Sequence, residues 1–237
     1  KAEALLIPTE TKQGLDSQFG GIAALAGVTI GSQGENKSKL ALEIMQSRTF
    51  LASFIKRHNI EPALMAAANW DASLKTLVID DQIYNQSKKE WYRTPTSPLR
   101  TAVPSDQELV DAFKGILDVV TEPSSNLSKV SVEFISPDEA SLWVNLLVNE
   151  INEHMRKRDI DKAERSIKYL QKQMTNSSLS SVRSSLSVAI EEQIKTLTVA
   201  NVEEQYIFTT LDAAVPPEVK SKPRRALIVL MCTFLSA

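Results

Sequence analysis

The chain has 237 residues, of which 43% are hydrophobic, 24% charged and 6% aromatic, and its formal net charge is −2 at pH 7. This composition supports a buried core of one or two domains and excludes extensive disorder. The mean hydropathy of −0.15 argues against a protein with many membrane spans. The near balance of charges is unlike the basic surface of nucleic-acid-binding proteins, so we expect no nucleic acid partner.

The first third of the chain predicts short elements. Residues 1–16 are expected to be extended or irregular, and Ser17–Gly27 has the start and stop signals of a short apolar helix. Residues 28–36 form a glycine-rich stretch that predicts a loop. From 37 to 59, apolar residues recur at spacings of three and four, which predicts one helix. Pro62 begins another short helical stretch.

The middle of the chain alternates strand and helix signals. Leu74–Asp80 predicts a strand, and residues 84–104, with three prolines, predict a loop. Ser105–Gly115 carries a capping box and a terminal glycine, which predict a helix. Leu117–Thr121 and Val130–Ile135 are rich in β-branched residues and predict two strands.

Long helices are predicted in the second half, because 78 consecutive residues between Pro137 and Pro216 contain neither glycine nor proline. Ser136-Pro137-Asp138-Glu139 is a typical helix start. We expect this helix to run to about Met174, with a turn at Thr175–Ser178. A returning helix ends near Val202, and Tyr206–Ala213 predicts a strand.

Both long helices have a narrow apolar stripe, which would leave apolar surface exposed if they packed only on each other. We therefore expect the helical hairpin to pack against copies of itself or against a partner. The candidate packing residues are Ile151, Met155, Ile160, Ile167, Leu170, Leu186 and Ile190.

The last twelve residues, Ala226–Ala237, are mostly apolar and follow Lys222, Arg224 and Arg225. As a helix they would span roughly 18 Å, which is less than the roughly 30 Å of a hydrocarbon core. They are either a core element or the start of a membrane helix that the sequence cuts short, and we favour the second interpretation. The preceding stretch, with Pro216, Pro217 and Pro223, is too rich in proline for a helix or a central strand.

Residues suited to catalysis are scarce. His58 and His154 lie on charged helical stretches without metal-ligand spacing, and the only cysteine, Cys232, lies in the apolar run. The glycines of 27–34 match no dinucleotide- or phosphate-binding motif. We therefore expect a protein that is not an enzyme and has no catalytic residue, cofactor or metal. Arg156–Arg158 is interpreted as a solvated helix face, with acidic sugars or lipid phosphates as the alternative ligand.

Several segments, read in order, resemble one family. They are Phe19–Gly27 (FGGIAALAG), Ala41–Leu51 (ALEIMQSRTFL, similar to the family's ALEILKSRAFL), Ser136–Ala140 with Val148–Ile151, Lys168–Gln171, Val182–Arg183, Ile190–Gln193, Phe208–Pro217, and Lys222–Arg225 followed by the apolar run. Their order and spacing resemble the Wzz-type chain-length determinants, or polysaccharide co-polymerases, over almost the whole chain.

This resemblance implies an α+β fold and a non-catalytic role. Family members have a periplasmic domain between two inner-membrane helices, form ring-like homo-oligomers, and set the length of lipopolysaccharide O-antigen with a Wzy-type polymerase. Polysaccharide or lipid-linked glycan would be a further ligand. The implied segments are a membrane-proximal α/β base (1–135), a protruding antiparallel helical hairpin (136–204), a returning strand with the proline-rich membrane-proximal segment (205–223), and the start of a second membrane helix (224–237).

Two other functions remain open. One is a periplasmic adaptor or export component whose hairpin contacts an outer-membrane partner. The other is an exopolysaccharide or capsule co-polymerase that carries a cytoplasmic tyrosine kinase domain. A nucleotide-binding domain after the second membrane helix would distinguish the last of these.

Overall fold

The computed structural model describes residues 1–9, 33–95, 97–98, 100–122, 125–219 and 221. Its helices are α1 (Gln33–Met45), α2 (Arg48–Arg57), α3 (Glu61–Ala66), α4 (Asp106–Lys114), α5 (Pro137–Asn176) and α6 (Ser180–Val202). Its strands are β1 (Ala2–Pro8), β2 (Ala67–Asp71), β3 (Thr76–Ile79), β4 (Tyr84–Asn85), β5 (Glu90–Trp91), β6 (Leu117–Thr121), β7 (Ser128–Val132) and β8 (Phe208–Asp212). The predicted mixture of helix and sheet is confirmed.

The principal sheet has four strands in the order β6-β7-β1-β8, so that among the described strands β1 lies inside it and β8 at its edge. β6 and β7 are antiparallel neighbours, with Leu117 opposite Val132. The Lys1 amino group lies 3.4 Å from the Ser221 hydroxyl oxygen, and the Thr9 N–H donates to the Ile207 carbonyl at 2.8 Å. β8 therefore returns along β1 in the opposite direction.

The chain divides into two compact units. The first contains residues 1–5, 46–146 and the described residues from 211 onward. The second contains 147–210 and the described residues between 6 and 45. The predicted segments 1–135, 136–204 and 205–223 stay a prediction.

The core of the first unit is built around aromatic side chains. The rings of Phe54 and Phe113 are 5.6 Å apart, and Trp143 lies 6.0 Å from Phe113 and 4.5 Å from Phe134. Phe54 and Phe113 are fully buried, and Trp143 is nearly so. The contacts hold the start of α5 against α2 and α4, because each of these helices contributes one ring to the cluster.

The N-terminus of α4 is fixed by a buried carboxylate. The Ser105 hydroxyl accepts from the Glu108 N–H, and the Glu108 carboxylate accepts from the Ser105 N–H, which confirms the predicted capping box. The Arg93 guanidinium donates to both Glu108 oxygens at 2.9 Å. These contacts lower the pKa of Glu108 to about 2, through the hydrogen bond from Arg93 and then that from the Ser105 N–H.

Two asparagines of α5 hold the chain that returns after α6. In the second unit, Asn152 accepts from the Ile207 and Phe208 N–H groups, both at 2.9 Å, and donates to the Phe208 carbonyl at 3.0 Å. In the first unit, Asn145 accepts from the Ala214 N–H at 3.0 Å and donates to its carbonyl at 2.9 Å. Asn152 thus binds the backbone where β8 begins, and Asn145 binds it two residues after β8 ends.

Several predicted boundaries were wrong. The single helix predicted over 37–59 is two helices, because Ser47 interrupts it and accepts a hydrogen bond from the Phe50 N–H as the N-cap of α2. The loop predicted over 28–36 already contains the first turn of α1 from Gln33. The loop predicted over 84–104 contains the small β4–β5 hairpin, in which Tyr84 pairs with Trp91.

Other differences are smaller. β2 was not predicted, since its sequence lacks β-branched residues, and it forms through antiparallel pairing with β3. α5 ends at Asn176 instead of Met174, so the connection to α6 is 177–179. The helix predicted at Ser17–Gly27, Pro223 and the run Ala226–Ala237 lie outside the described residues.

Candidate interaction surface

The burial of the apolar stripe of α5 changes along the helix. The stripe consists of apolar residues at helical spacing, namely Ala140, Val144, Leu147, Ile151, Met155, Ile160, Ala163, Ile167, Leu170 and Met174. As far as Met155, all of them are fully buried in the chain. Beyond Met155, only Ala163 of the stripe is buried. Ile160, Ile167 and Leu170 on α5, and Leu186 and Ile190 on α6, are half-buried, and we call these five residues the seam. The predicted packing residues thus divide into a buried pair and the seam.

The end of α5 lies close to the start of α6. The Ser187 hydroxyl is 3.6 Å from the Met174 sulfur, and the Arg183 side chain donates to the Ser177 carbonyl at 2.7 Å. The connection between the helices is short, and no side chain caps α6, whose N-cap position is Leu179. The two contacts join residues 13 and six positions apart, so they bring this end of α5 and the start of α6 together.

A groove lies at this same end. It has a volume of about 480 Å³. Its lining combines an aromatic ring, amide groups and aliphatic side chains, without a charged residue: Tyr169, Gln173, Asn176, Ser177, Val182 and Leu186. A neutral lining of this type suits the uncharged part of a partner better than an ionic group.

α6 has few charged residues, and its exposed positions combine serines and other polar residues with several aliphatic side chains. Only four of its 23 residues are charged, whereas residues 156–176 of α5 contain ten charged residues among 21. Five aliphatic residues of α6 have between 39% and 72% of their surface exposed: Val182, Val188, Ile194, Val199 and Val202. Depletion of charge together with exposed aliphatic groups is typical of the core of a protein–protein interface.

A polar cluster fixes the middle of α5 within the second unit. Asp159 accepts from the Tyr206 hydroxyl at 2.7 Å and from the Lys37 ammonium at 2.9 Å. Burial, and then the hydrogen bond to Asp159, raises the pKa of Tyr206. The cluster joins α1 and the segment before β8 to α5, close to the point where the stripe ceases to be buried.

The other predicted residues lie elsewhere. Pro216 is exposed and Pro217 half-buried, in the irregular segment after β8. Arg156 and Lys157 both form ion pairs with Glu153, so part of the basic cluster is neutralised on its own helix. The His58 ring lies 4.9 Å from that of Phe54.

The described part of the chain has neither a metal-binding cluster nor a membrane-spanning helix. Its His, Cys, Asp and Glu side chains form no group of three or more that could hold a metal ion. Within the same residues, no helix is both long enough and apolar enough to cross a bilayer.

Sequence reasoning missed the roles of Asn145 and Asn152. The available signal was their spacing of seven residues, which places both on one face of a helix beside the apolar stripe. A polar residue repeated beside a buried stripe indicates a polar partner, because a buried amide without hydrogen bonds is costly. The partner itself could not be predicted, since it lies 55 to 69 residues further along the chain.

No protein-family model matches this chain, and no curated protein matches it significantly.

Proposed function

We propose that the protein is a non-catalytic regulator of polysaccharide chain length, like the Wzz-type family that its sequence resembles. In this proposal, α5 and α6 form the antiparallel hairpin, and copies of the chain associate through it into a ring. The ring faces the periplasm from the bacterial inner membrane and acts as a scaffold with a Wzy-type polymerase.

The observation that carries this proposal is the change in burial along the helices. The stripe of α5 is buried as far as Met155 and then continues as the half-buried seam, while α6 presents exposed valines with few charges. An apolar surface of this kind is stabilised when another protein surface covers it. A second copy is the occupant that this proposal requires.

The path of the chain also supports a membrane-proximal base. β8 brings the chain back beside β1, and the Lys1 amino group contacts Ser221. The exposed Pro216 and half-buried Pro217 then lie between β8 and the apolar run that begins at Ala226. In the proposal, that run enters the membrane, and the principal sheet lies near the point of entry.

The decisive experiment compares lipopolysaccharide from a deletion strain with that from the complemented strain on gels. We expect the deletion to broaden the distribution of chain lengths and the complementing gene to restore a preferred length. An unchanged distribution in the deletion strain would overturn the proposal. Unchanged lengths together with less polysaccharide at the cell surface would instead support the export component.

A second experiment tests the seam. Ile167→Glu places a charge in the half-buried seam, and Lys168→Glu places the same residue at the next, exposed position. We expect light scattering of the full-length protein to show loss of the oligomer for Ile167→Glu only, with loss of length control in cells. Equal behaviour of the two variants would contradict a role for the seam.

A further inference from the structure

The backbone at both ends of β8 is bound by side chains of α5. Asn152 makes three hydrogen bonds to the backbone of Ile207 and Phe208, and Asn145 makes two to Ala214. Both side chains act as donor and acceptor toward the main chain. A strand at the edge of a sheet has backbone groups that no neighbouring strand satisfies. The two amides bind five backbone groups, of which two belong to Phe208 at the start of β8 and three to Ile207 and Ala214 on either side of the strand.

The environment of these residues argues that the amide itself matters. Asn152 is only 4% exposed, so its side chain depends on protein partners for its hydrogen bonds. An aliphatic side chain could fill the same volume, but it would leave two N–H groups and one carbonyl without these partners. Asn149, between the two on the same helix, is exposed and provides a matched control.

We propose that Asn145 and Asn152 are positioning residues that fix the path of the chain from β8 to Pro216 and Pro217. A second part of the inference concerns regulation and rests on the proposed function. When the contacts of α5 with other copies change, the two asparagines relay this change to the segment with Pro216 and Pro217, which precedes the apolar run. This relay requires no ligand, because the asparagines of α5 bind directly to the backbone of Ile207, Phe208 and Ala214.

Amide hydrogen exchange on the full chain tests the positioning. We expect exchange to become about tenfold faster at Ile207 and Phe208 in Asn152→Ala, and at Ala214 in Asn145→Ala, because each substitution removes bonds of ordinary strength. Asn149→Ala should leave both regions unchanged. Exchange in Asn145→Ala equal to that in Asn149→Ala would overturn the proposal, and Asn145 is only half-buried, so this variant tests it even where Asn152→Ala fails to fold.

An apolar variant separates the hydrogen bonds from simple packing. Asn145→Leu branches at the same carbon as asparagine, but it can neither accept from the Ala214 N–H nor donate to its carbonyl. We expect exchange at Ala214 to be as fast in Asn145→Leu as in Asn145→Ala, because both variants lose the hydrogen bonds. Protection retained in Asn145→Leu and lost only in Asn145→Ala would show that packing, and not hydrogen bonding, holds the segment, and would overturn the role of the amide.

The relay is tested in cells at matched protein amounts. We expect Asn145→Ala to shift the length distribution while light scattering shows an intact oligomer, and Asn149→Ala to behave as wild type. A wild-type distribution for Asn145→Ala, despite faster exchange, would overturn the relay alone. If the deletion strain itself keeps its length distribution, the proposed function and the relay both fail, while the exchange data still decide the positioning.

Discussion

The two parts of α5 have the same kind of stripe but different surroundings. Up to Met155, the stripe is covered by the chain's own strands and helices, with Trp143 and Ile151 completely or nearly completely buried. From Ile160 onward, aliphatic residues at similar spacing stay half-buried. The periodicity of a sequence therefore identifies which residues share a face of a helix, whereas the number of elements that cover this face depends on the rest of the fold.

This difference separates stability from association. Residues in the first part have already transferred their surface out of water in the single chain, so they contribute to its stability. Residues of the seam still have apolar surface to transfer, and this remaining surface is available for contact with another chain. Substitutions in the two parts should therefore differ in their effect on the stability of the single chain.

The largest effect is expected from a matched pair of isoleucines on α5. Ile151→Ala should lower the free energy of unfolding by about 2–5 kcal/mol, because it leaves a cavity in a packed core. Ile167→Ala should cost about 1 kcal/mol or less, because its side chain is half-exposed in the chain. Urea denaturation followed by circular dichroism measures both, and equal costs would show that the two parts do not differ.

A second contrast concerns carboxylates. Glu108→Gln should cost about 1.5–3 kcal/mol, because it weakens charged hydrogen bonds to Arg93 and to the start of α4. Glu164→Gln, at an exposed position of α5, should change the stability by less than about 0.5 kcal/mol. A similar loss in both variants, in urea denaturation, would contradict the contrast.

Glu108 also predicts a dependence on pH. Its pKa in the folded protein, about 2, lies below the ordinary 4.5, so the ionised form is the one that stabilises the fold. This contribution is fully present above about pH 4.5 and is lost as the pH falls toward 2. Denaturation midpoints between pH 6 and 2 should fall less steeply in Glu108→Gln than in wild type.

A smaller effect is expected at the junction of the two parts. Tyr206→Phe removes the hydrogen bond to Asp159 but leaves the ion pair with Lys37, and should cost about 1 kcal/mol. Since the pKa of Tyr206 is raised by folding, its contribution is complete below pH 10 and is lost at higher pH. Thermal unfolding at pH 8 and above pH 10 tests this, and an unchanged difference between the variant and wild type would contradict it.

The smallest effect is expected on the outer surface of α6. Glu191 and Lys195 form an exposed ion pair at 3.6 Å, one helical turn apart. Lys195→Gln should cost about 0.3–0.5 kcal/mol, and 1 M salt should remove the difference because the pair is screened by solvent ions. A cost as large as that of Glu108→Gln would mean that this surface is already covered in the single chain.

Local capping signals in the sequence predicted where α4 and α5 begin. The start of α5 follows from Ser136 and Pro137, and the Ser136 hydroxyl does accept from the Glu139 N–H. The capping box of α4 was equally visible. Both depend on residues within one helical turn, which is why a single sequence contains the information.

Contacts between distant residues could not be predicted. Arg93 completes the capping of α4 from a segment that was expected to be a loop, and β2 forms only because β3 pairs with it. For the candidate surface, the sequence identified the stripe but not the point, after Met155, at which it leaves the core. That point depends on which elements cover α5, and so on the fold of the whole chain.

Because α5 is long, a small rotation at its first turn would displace its far end by several ångströms. Its 40 residues extend about 60 Å, since each residue of an α-helix adds 1.5 Å. A rotation of about 5° around the first turn of a straight rod of this length moves its far end by about 5 Å. On a straight helix of this length, a label at Tyr169 would therefore move much further than a label at Asn145 for the same change in angle.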